Sequence, residues 1–185
     1  MRHTILNKFM FAAAVLGLGL AAAATGDTVR ASDAVIIKTL THEIRMYPRY
    51  STFDNVSFFV DEGRVELLGE VSQPYKKADL GRIVQGVPGV TSLSNELKVL
   101  PPSPMDDRLR LQVARAIYRD PMLSRYGMQI VPPIHIVVEN GHVTLEGVVS
   151  TDMEKNVAGL RAAGAGLSFG RITNNLRVEN PSHKS

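Results

Sequence analysis

Apolar and polar residues alternate in two similar stretches of the chain, and this period of two is typical of half-buried β-strands. The first stretch is residues 56–71 and the second is residues 134–149. Each is interrupted by a short turn that contains Gly63 or the pair Asn140-Gly141. Asn-Gly suits a type I′ turn, in which both central residues have positive φ, so each stretch is predicted to be a β-hairpin. The register of the second hairpin predicts a buried face made of Ile136, Val138, Val143 and Leu145.

A helix is predicted before each hairpin because apolar residues recur there every three or four positions. In the first half, Ser32 and Asp33 are good N-cap residues for its start, and Pro48 ends it. The corresponding helix of the second half is expected at 107–120. The apolar face of the first helix consists of Ile36, Leu40, Ile44 and Tyr47.

A second helix and a last strand are predicted after each hairpin. Ser72 favours the helix start in the first half, and Thr151 with Glu154 forms a capping box in the second. The last strands are expected at 93–99 and 172–178.

This order of elements occurs twice. Residues 63–72 recur as 141–150, and residues 95–99 recur as 174–178. A repeat this long is a folded unit used twice, rather than a solenoid of short repeats. The predicted fold class is therefore α+β, with two tandem α-β-β-α-β units, each a three-stranded sheet with two helices on one face. The predicted boundaries are 1–24 for a signal peptide, 32–100 and 105–180 for the two domains, 101–104 for a proline-rich linker and 181–185 for a disordered tail.

The repeated residues resemble the BON domain, which is named after bacterial osmotically inducible periplasmic proteins and nodulation proteins. The shared pattern is Gly-x-Val-x-Leu-x-Gly-x-Val at 63–71 and 141–149, then an asparagine before Leu-x-Val at 95–99 and 174–178. The resemblance implies an exported, non-enzymatic protein without a cofactor. It also implies binding to phospholipid or envelope surfaces, and a contribution to envelope integrity or osmotic stress tolerance.

The motif residues are expected to have structural roles. The turn glycines are Gly63 and Gly141, while Gly69 and Gly147 are expected to allow close approach of a helix or to form a bulge. The side chains of Asn95 and Asn174 are expected to bond to local backbone at the entry of the last strand.

The N-terminal residues have the pattern of an export signal. Arg2, His3 and Lys8 precede an apolar run at 9–24, so cleavage near Ala24 and a periplasmic location are predicted. The run is shorter than the roughly 20 residues of a membrane span, and an uncleaved anchor is the alternative. The chain has no cysteine, which removes disulfides and cysteine-based metal sites.

The charge of the chain gives no reason to expect nucleic-acid binding. The full chain carries +3, and the predicted signal peptide removes two basic residues and no acidic residue. The remainder is close to neutral, so an electrostatic partner must be bound by a local patch.

Patterns that indicate catalysis or metal binding are weak. The sequence has no Ser-His-Asp order and no phosphate loop, so an enzyme is not predicted. In the second hairpin the register pairs His135 with Glu146 and His142 with Glu139. A metal site is one interpretation of these pairs. We favour solvated cross-strand pairs, because successive pairs on a sheet splay apart.

The outer face of the helix at 107–120 is the first candidate surface. At 100° per residue, Leu111 and Tyr118 lie together opposite the side that faces the sheet, and Arg108, Arg115 and Arg119 flank them. Such a face suits an anionic phospholipid surface, the other domain or an envelope protein. An ordinary solvated arginine face is the plain alternative.

The outer face of the first sheet is the second candidate surface. Phe59 and Leu68 are predicted to lie there, where the second half has Val137 and Glu146. Two large apolar groups on an outer face indicate that something covers them. We expect this face to pack on the second domain or on another protein, and we expect the two small domains to pack together.

Two functions follow from these surfaces. The first is docking on phospholipid or an envelope assembly. The second is a periplasmic protein-interaction or chaperone-like module that binds exported proteins. Salt separates them, because contacts through arginines weaken with ionic strength and apolar contacts do not.

Overall fold

The computed structural model describes residues 23–165 and 170–179, so the predicted signal segment up to residue 22 and the predicted tail lie outside the described residues. The first domain consists of α1 (Ala23–Met46), β1 (Asn55–Asp61), β2 (Arg64–Val71), α2 (Pro74–Gln85), β3 (Ser92–Asn95) and β4 (Lys98–Val99). The second domain consists of α3 (Pro104–Tyr118), α4 (Ser124–Gly127), β5 (Ile134–Glu139), β6 (His142–Val149), α5 (Asp152–Ala165), β7 (Ile172–Asn174) and β8 (Arg177–Val178).

Each sheet combines an antiparallel hairpin with a parallel last strand. β1 pairs with β2, and β3 and β4 follow one another in parallel to β2. The second domain repeats this arrangement, with β7 and β8 parallel to β6. The predicted fold class, two α+β units of the same design, is confirmed.

The core of each domain lies between its sheet and its two long helices. The second hairpin buries the face that its alternation predicts, and the side chains of that face are at most 3% exposed. Apolar side chains from both helices complete the two cores. In the first domain these are Ile36, Leu40, Leu80 and Val84, and in the second they are Val113, Ile117, Ala158 and Ala162.

Both hairpin turns have the geometry that Asn-Gly predicts. Asn140 has φ of 51° and Gly141 has φ of 77°, as a type I′ turn requires. The carboxylate of Asp106 in α3 accepts hydrogen bonds from both of their backbone N–H groups, at 2.9 and 2.8 Å. The first domain repeats the device, with Asp33 of α1 bonded to the turn at Glu62 and Gly63. A carboxylate on the first helix therefore fixes each turn to that helix.

The two first helices begin earlier than predicted. α1 is helical from Ala23, so Asp33 is inside the helix and bonds to the hairpin turn instead of acting as an N-cap. In α3 the N-cap is Ser103, whose Oγ accepts from the N–H of Asp106 at 3.2 Å, and Pro104 is the first helical residue. Pro104 therefore belongs to the helix and not to the linker, because its fixed φ suits a first turn.

Gly69 and Gly147 do not make room for a closely packed helix. Their φ values are +111° and +114°, in a region that side chains other than glycine rarely occupy. A Cβ on Gly147 would lie 1.9 Å from the carbonyl oxygen of Pro133, and one on Gly69 would lie 2.0 Å from that of Asn55. The glycine is needed because a backbone carbonyl at the start of the hairpin occupies the place that a side chain would take.

The two motif asparagines interrupt the last strands. Asn95 donates through its amide nitrogen to the Lys77 carbonyl of α2 at 3.0 Å, and its oxygen accepts from the N–H of Leu97 at 3.3 Å. Asn174 makes the equivalent bonds to Lys155 and Leu176. Each asparagine therefore ties the last strand to the second helix, and the strand is split at that point.

Buried polar groups hold the connection between the first helix and the hairpin. In the first domain Asp54 is fully buried and accepts bonds from Ser51, from Ser72 and, at 2.6 Å, from the ammonium group of Lys76. Lys76 lies in the first turn of α2. A cation is unfavourable there because the N-terminal end of a helix is positive, and Asp54 compensates for it.

The second domain has the opposite charges at this place. Glu154 in the first turn of α5 accepts from Arg125 at 2.6 Å and from the hydroxyl of Tyr126 at 3.0 Å. Glu154 also forms the predicted capping box with Thr151, through reciprocal bonds of 3.0 and 3.2 Å. In both copies a charged residue in the first turn of the second helix fixes the loop before the hairpin, and the sign of that charge is reversed between them.

Candidate functional site

The exposed side of α3 carries a stripe of arginines. Arg108, Arg115 and Arg119 are spaced by seven and four residues, so they lie within about 40° of one another around the helix axis. All three side chains are exposed. Within residues 23–165 and 170–179, none of the three guanidinium groups forms a hydrogen bond or an ion pair. We call this set the arginine stripe; its like charges repel one another unless an anion binds there.

Two exposed apolar side chains border the arginine stripe. Leu111 is 47% exposed on one side of it. Met105, in the first turn of α3, is 79% exposed on the other side. The sequence pattern gives no signal for Met105, because it predicts a helix that begins only at residue 107. The surface therefore has cations in the centre and apolar groups at its margins.

Tyr118 lies on the predicted side of the helix but is half-buried, so it does not belong to this exposed surface. Its hydroxyl donates to the carbonyl oxygen of Ile134 at 2.6 Å and lies 2.9 Å from the hydroxyl of Thr52 in the first domain. Burial raises the pKa of Tyr118 to about 12. The helical projection failed here because α3 is covered on a second side, by α4 and by a loop of the other domain.

The two domains meet at the loop that precedes β1. Thr52 donates to the carbonyl oxygen of Ile134 at 2.7 Å, and its own carbonyl oxygen accepts from the N–H of Ile136 at 2.7 Å. Phe53 packs against the core of the second domain. An ion pair of 2.6 Å joins Lys98 to Glu139 across the boundary. The loop thus hydrogen-bonds to the free edge of β5. The two domains pack together, as expected.

Phe59, on the outer sheet face of the first domain, is not covered by the second domain. Phe59 is 61% exposed and Leu68 is half-buried. Phe59 therefore does not pack on the other domain as expected, since the domain contact uses the loop before β1 and Lys98. Binding of this face to another protein stays a prediction.

The histidine pairs have the predicted register, and their surroundings differ: His142 is exposed as expected, whereas His135 is half-buried. His135 lies opposite Glu146, and Glu139 lies opposite His142. The ring of His135 packs against that of Tyr50 at 5.7 Å between centroids. Burial lowers the pKa of His135 below its usual value. In the part of the chain that the structure describes, no three His, Cys, Asp or Glu side chains come together as a metal site.

No helix among the described residues combines the length and the apolar character that crossing a membrane requires.

Comparison with known proteins identifies the repeated unit. The family model described as "BON domain" matches residues 32–101 and again residues 106–180. No curated protein matches the chain. Among solved structures, the C-terminal domain of CdsD, the structural protein of the type III secretion system of Chlamydia trachomatis, is 15% identical with a TM-score of 0.29. That match covers 78% of this chain and 64% of the other.

A second CdsD structure from the same organism is 13% identical with a TM-score of 0.28, over 80% of this chain and 94% of that chain. At TM-scores this low, neither likeness carries an argument about function.

Proposed function

Because this chain belongs to the BON domain family, as its repeated motif predicted, we propose that it is an exported protein that docks on anionic phospholipid of the cell envelope. BON domains are typically non-catalytic binding domains associated with the envelope. The proposed role is to support envelope integrity or tolerance of osmotic stress from the periplasm. The proposed contact surface is the outer side of α3.

The unpartnered arginine stripe is the observation that carries this proposal. Each basic group near an anionic membrane adds about 1 kcal/mol, so Arg108, Arg115 and Arg119 together supply about 3 kcal/mol. That corresponds to roughly a hundredfold in affinity. Leu111 and Met105 can enter the interface beside the stripe and add apolar burial.

Co-sedimentation with liposomes tests the proposal. The protein from Thr25 onward is mixed with neutral or anionic vesicles at low and high salt. The variant Arg115→Glu/Arg119→Glu replaces two attractions by repulsions, so its binding to anionic vesicles should fall by more than about 30-fold. Binding of the unchanged protein should also weaken at high salt.

A matched control separates the arginine stripe from net charge. Arg64→Glu/Arg82→Glu makes the same change in net charge on the first domain, at side chains that are 57% and 77% exposed. This control should bind nearly as well as the unchanged protein. Equal losses in both variants, or binding to neutral and anionic vesicles alike, would count against a specific surface on α3.

The second candidate function is a protein-interaction or chaperone-like module for exported proteins. The exposed Phe59 and the half-buried Leu68 beside it on the outer face of the first sheet favour it. This function predicts binding of apolar segments that does not weaken with salt and that Phe59→Asp removes. If no vesicles are bound under any condition, crosslinking in the periplasm becomes the next experiment.

A further inference from the structure

The loop between α4 and β5 projects apolar side chains into solvent. Ile130 is 90% exposed and Met128 is 87% exposed, and these are the two most exposed large apolar side chains among the described residues. The first domain connects its first helix to its hairpin through eight residues, 47–54, where the second domain uses 119–133 and includes α4. Phe53 of the shorter connection is turned inward against the second domain. The projecting loop is therefore specific to the second domain.

Basic side chains of the first domain lie beside this loop. A groove of about 620 Å³ separates the loop from α1, and its α1 side is lined by Lys38, His42 and Arg45. These residues are spaced by four and three positions, so they lie on one side of the helix. Within the described ranges, their side chains form no ion pair and no hydrogen bond.

We propose that Met128 and Ile130 insert into the interface of an anionic phospholipid bilayer, while Lys38, His42 and Arg45 contact lipid phosphates around them. This inference rests on the proposed function and adds a second contact to the arginine stripe. Side chains this exposed are not enclosed by any wall of the groove, whereas a small ligand needs enclosing walls. A bilayer supplies an apolar medium and anionic headgroups within the same few ångströms.

The loop is also continuous with the surface of α3. The ring of Tyr118 packs on Gly127, which directly precedes Met128. Arg119 of the arginine stripe follows Tyr118 at the end of the helix. The loop therefore leaves the protein next to the C-terminal end of the arginine stripe.

A tryptophan reporter tests the insertion, because the chain contains no tryptophan. Ile130→Trp places a fluorophore at the loop tip. Leu160→Trp, at a position on α5 that is 72% exposed, is the matched control. With anionic vesicles, the emission of Ile130→Trp should shift to shorter wavelength and be quenched by brominated phospholipid, while that of Leu160→Trp should not change. Sedimentation of the same samples reports whether the protein is bound.

The outcomes distinguish this inference from the proposed function. Sedimentation without a shift for Ile130→Trp overturns the insertion and leaves docking through α3 intact. Equal shifts for both reporters also overturn the insertion, because the loop would then enter the bilayer no more than α5 does. If neither variant sediments, the proposed function fails and the insertion fails with it.

A pair of serine variants measures the contribution of the loop. Met128→Ser/Ile130→Ser should weaken vesicle binding by about tenfold or more, because two apolar side chains no longer enter the interface. Met153→Ser/Leu160→Ser removes two similarly exposed apolar groups on α5 and should have little effect. If both variants fold normally and the loop variant binds vesicles as well as the unchanged protein, the insertion is refuted.

Discussion

Replacing Lys76 by methionine should destabilise the first domain by more than any surface change. The side chains of Lys76 and Asp54 are 7% and 0% exposed, and their charged atoms are 2.6 Å apart. Methionine keeps the apolar stem but removes the ammonium group, so the carboxylate of Asp54 stays buried without its counter-charge. Breaking a buried pair in this way costs about 3–5 kcal/mol.

This loss is large in comparison with the stability of such a domain. Globular proteins have unfolding free energies of about 5–15 kcal/mol, and a domain of this size lies near the lower end. The bonds that Ser51 and Ser72 donate to Asp54 remain in the variant, so the carboxylate is not wholly unsatisfied. We therefore expect the lower half of the range, about 3–4 kcal/mol.

Urea unfolding followed by circular dichroism measures the change. Lys77→Met is the matched control, because Lys77 is the next residue of α2 and is only half-buried. It should change the unfolding free energy by less than about 0.5 kcal/mol. Adding Asp54→Asn to Lys76→Met removes the stranded charge and should restore part of the loss.

The domain contact should respond to the same change. Asp54 directly follows Thr52 and Phe53, which bond and pack to the second domain. Releasing Asp54 should loosen this loop and increase hydrogen exchange at the N–H of Ile136. A loss below about 1 kcal/mol for Lys76→Met, with unchanged exchange at Ile136, would refute the reasoning that the buried pair fixes the loop.

Two further predictions concern the second domain. Gly147→Ala should cost at least about 1–3 kcal/mol in unfolding free energy, because φ is +114° and the new Cβ would meet the Pro133 carbonyl. Gly164→Ala, where nothing lies within 4 Å, should cost nothing in the same denaturant titration. Burial lowers the pKa of His135 in the folded protein, so the unfolded chain binds its proton more readily. The stabilising effect of neutral His135 is therefore full above its usual pKa of 6.5 and decreases as pH falls from there towards the lowered value. Unfolding midpoints measured across this window should decline less in His135→Gln, and an identical decline would show that His135 is not the responsible group.

The backbone of this fold could be predicted from the sequence because its signals are local. Asn140-Gly141 specifies its turn through the φ values of those two residues alone, and Thr151 with Glu154 specifies a helix start within four residues. The position of Asp33 could not be predicted in the same way. Its role as a cap for the hairpin turn depends on a residue 30 positions away, Gly63, so the local N-cap pattern was misleading.

The surfaces could be predicted only in part, for a related reason. A helical projection places Arg108, Arg115 and Arg119 on the exposed side of α3, because an exposed charged stripe depends only on the helix itself. The projection fails for Tyr118, whose partner Thr52 belongs to the other domain. It also gave no indication of Ile130, since the conformation of a loop is not set by a helical or strand period.

The two copies share their internal contacts and differ in their exposed surfaces. The carboxylates of Asp33 and Asp106 fix the two hairpin turns in the same way, so the backbone devices are shared. The buried charges that fix the loop are reversed between Lys76 and Glu154, and each remains paired, so this difference is internally compensated. The arginine stripe and the projecting loop have no such compensation among the described residues. Both belong to the second domain, so we expect the second domain to make the principal external contact, with the first domain fixing its orientation and contributing the basic side chains of α1.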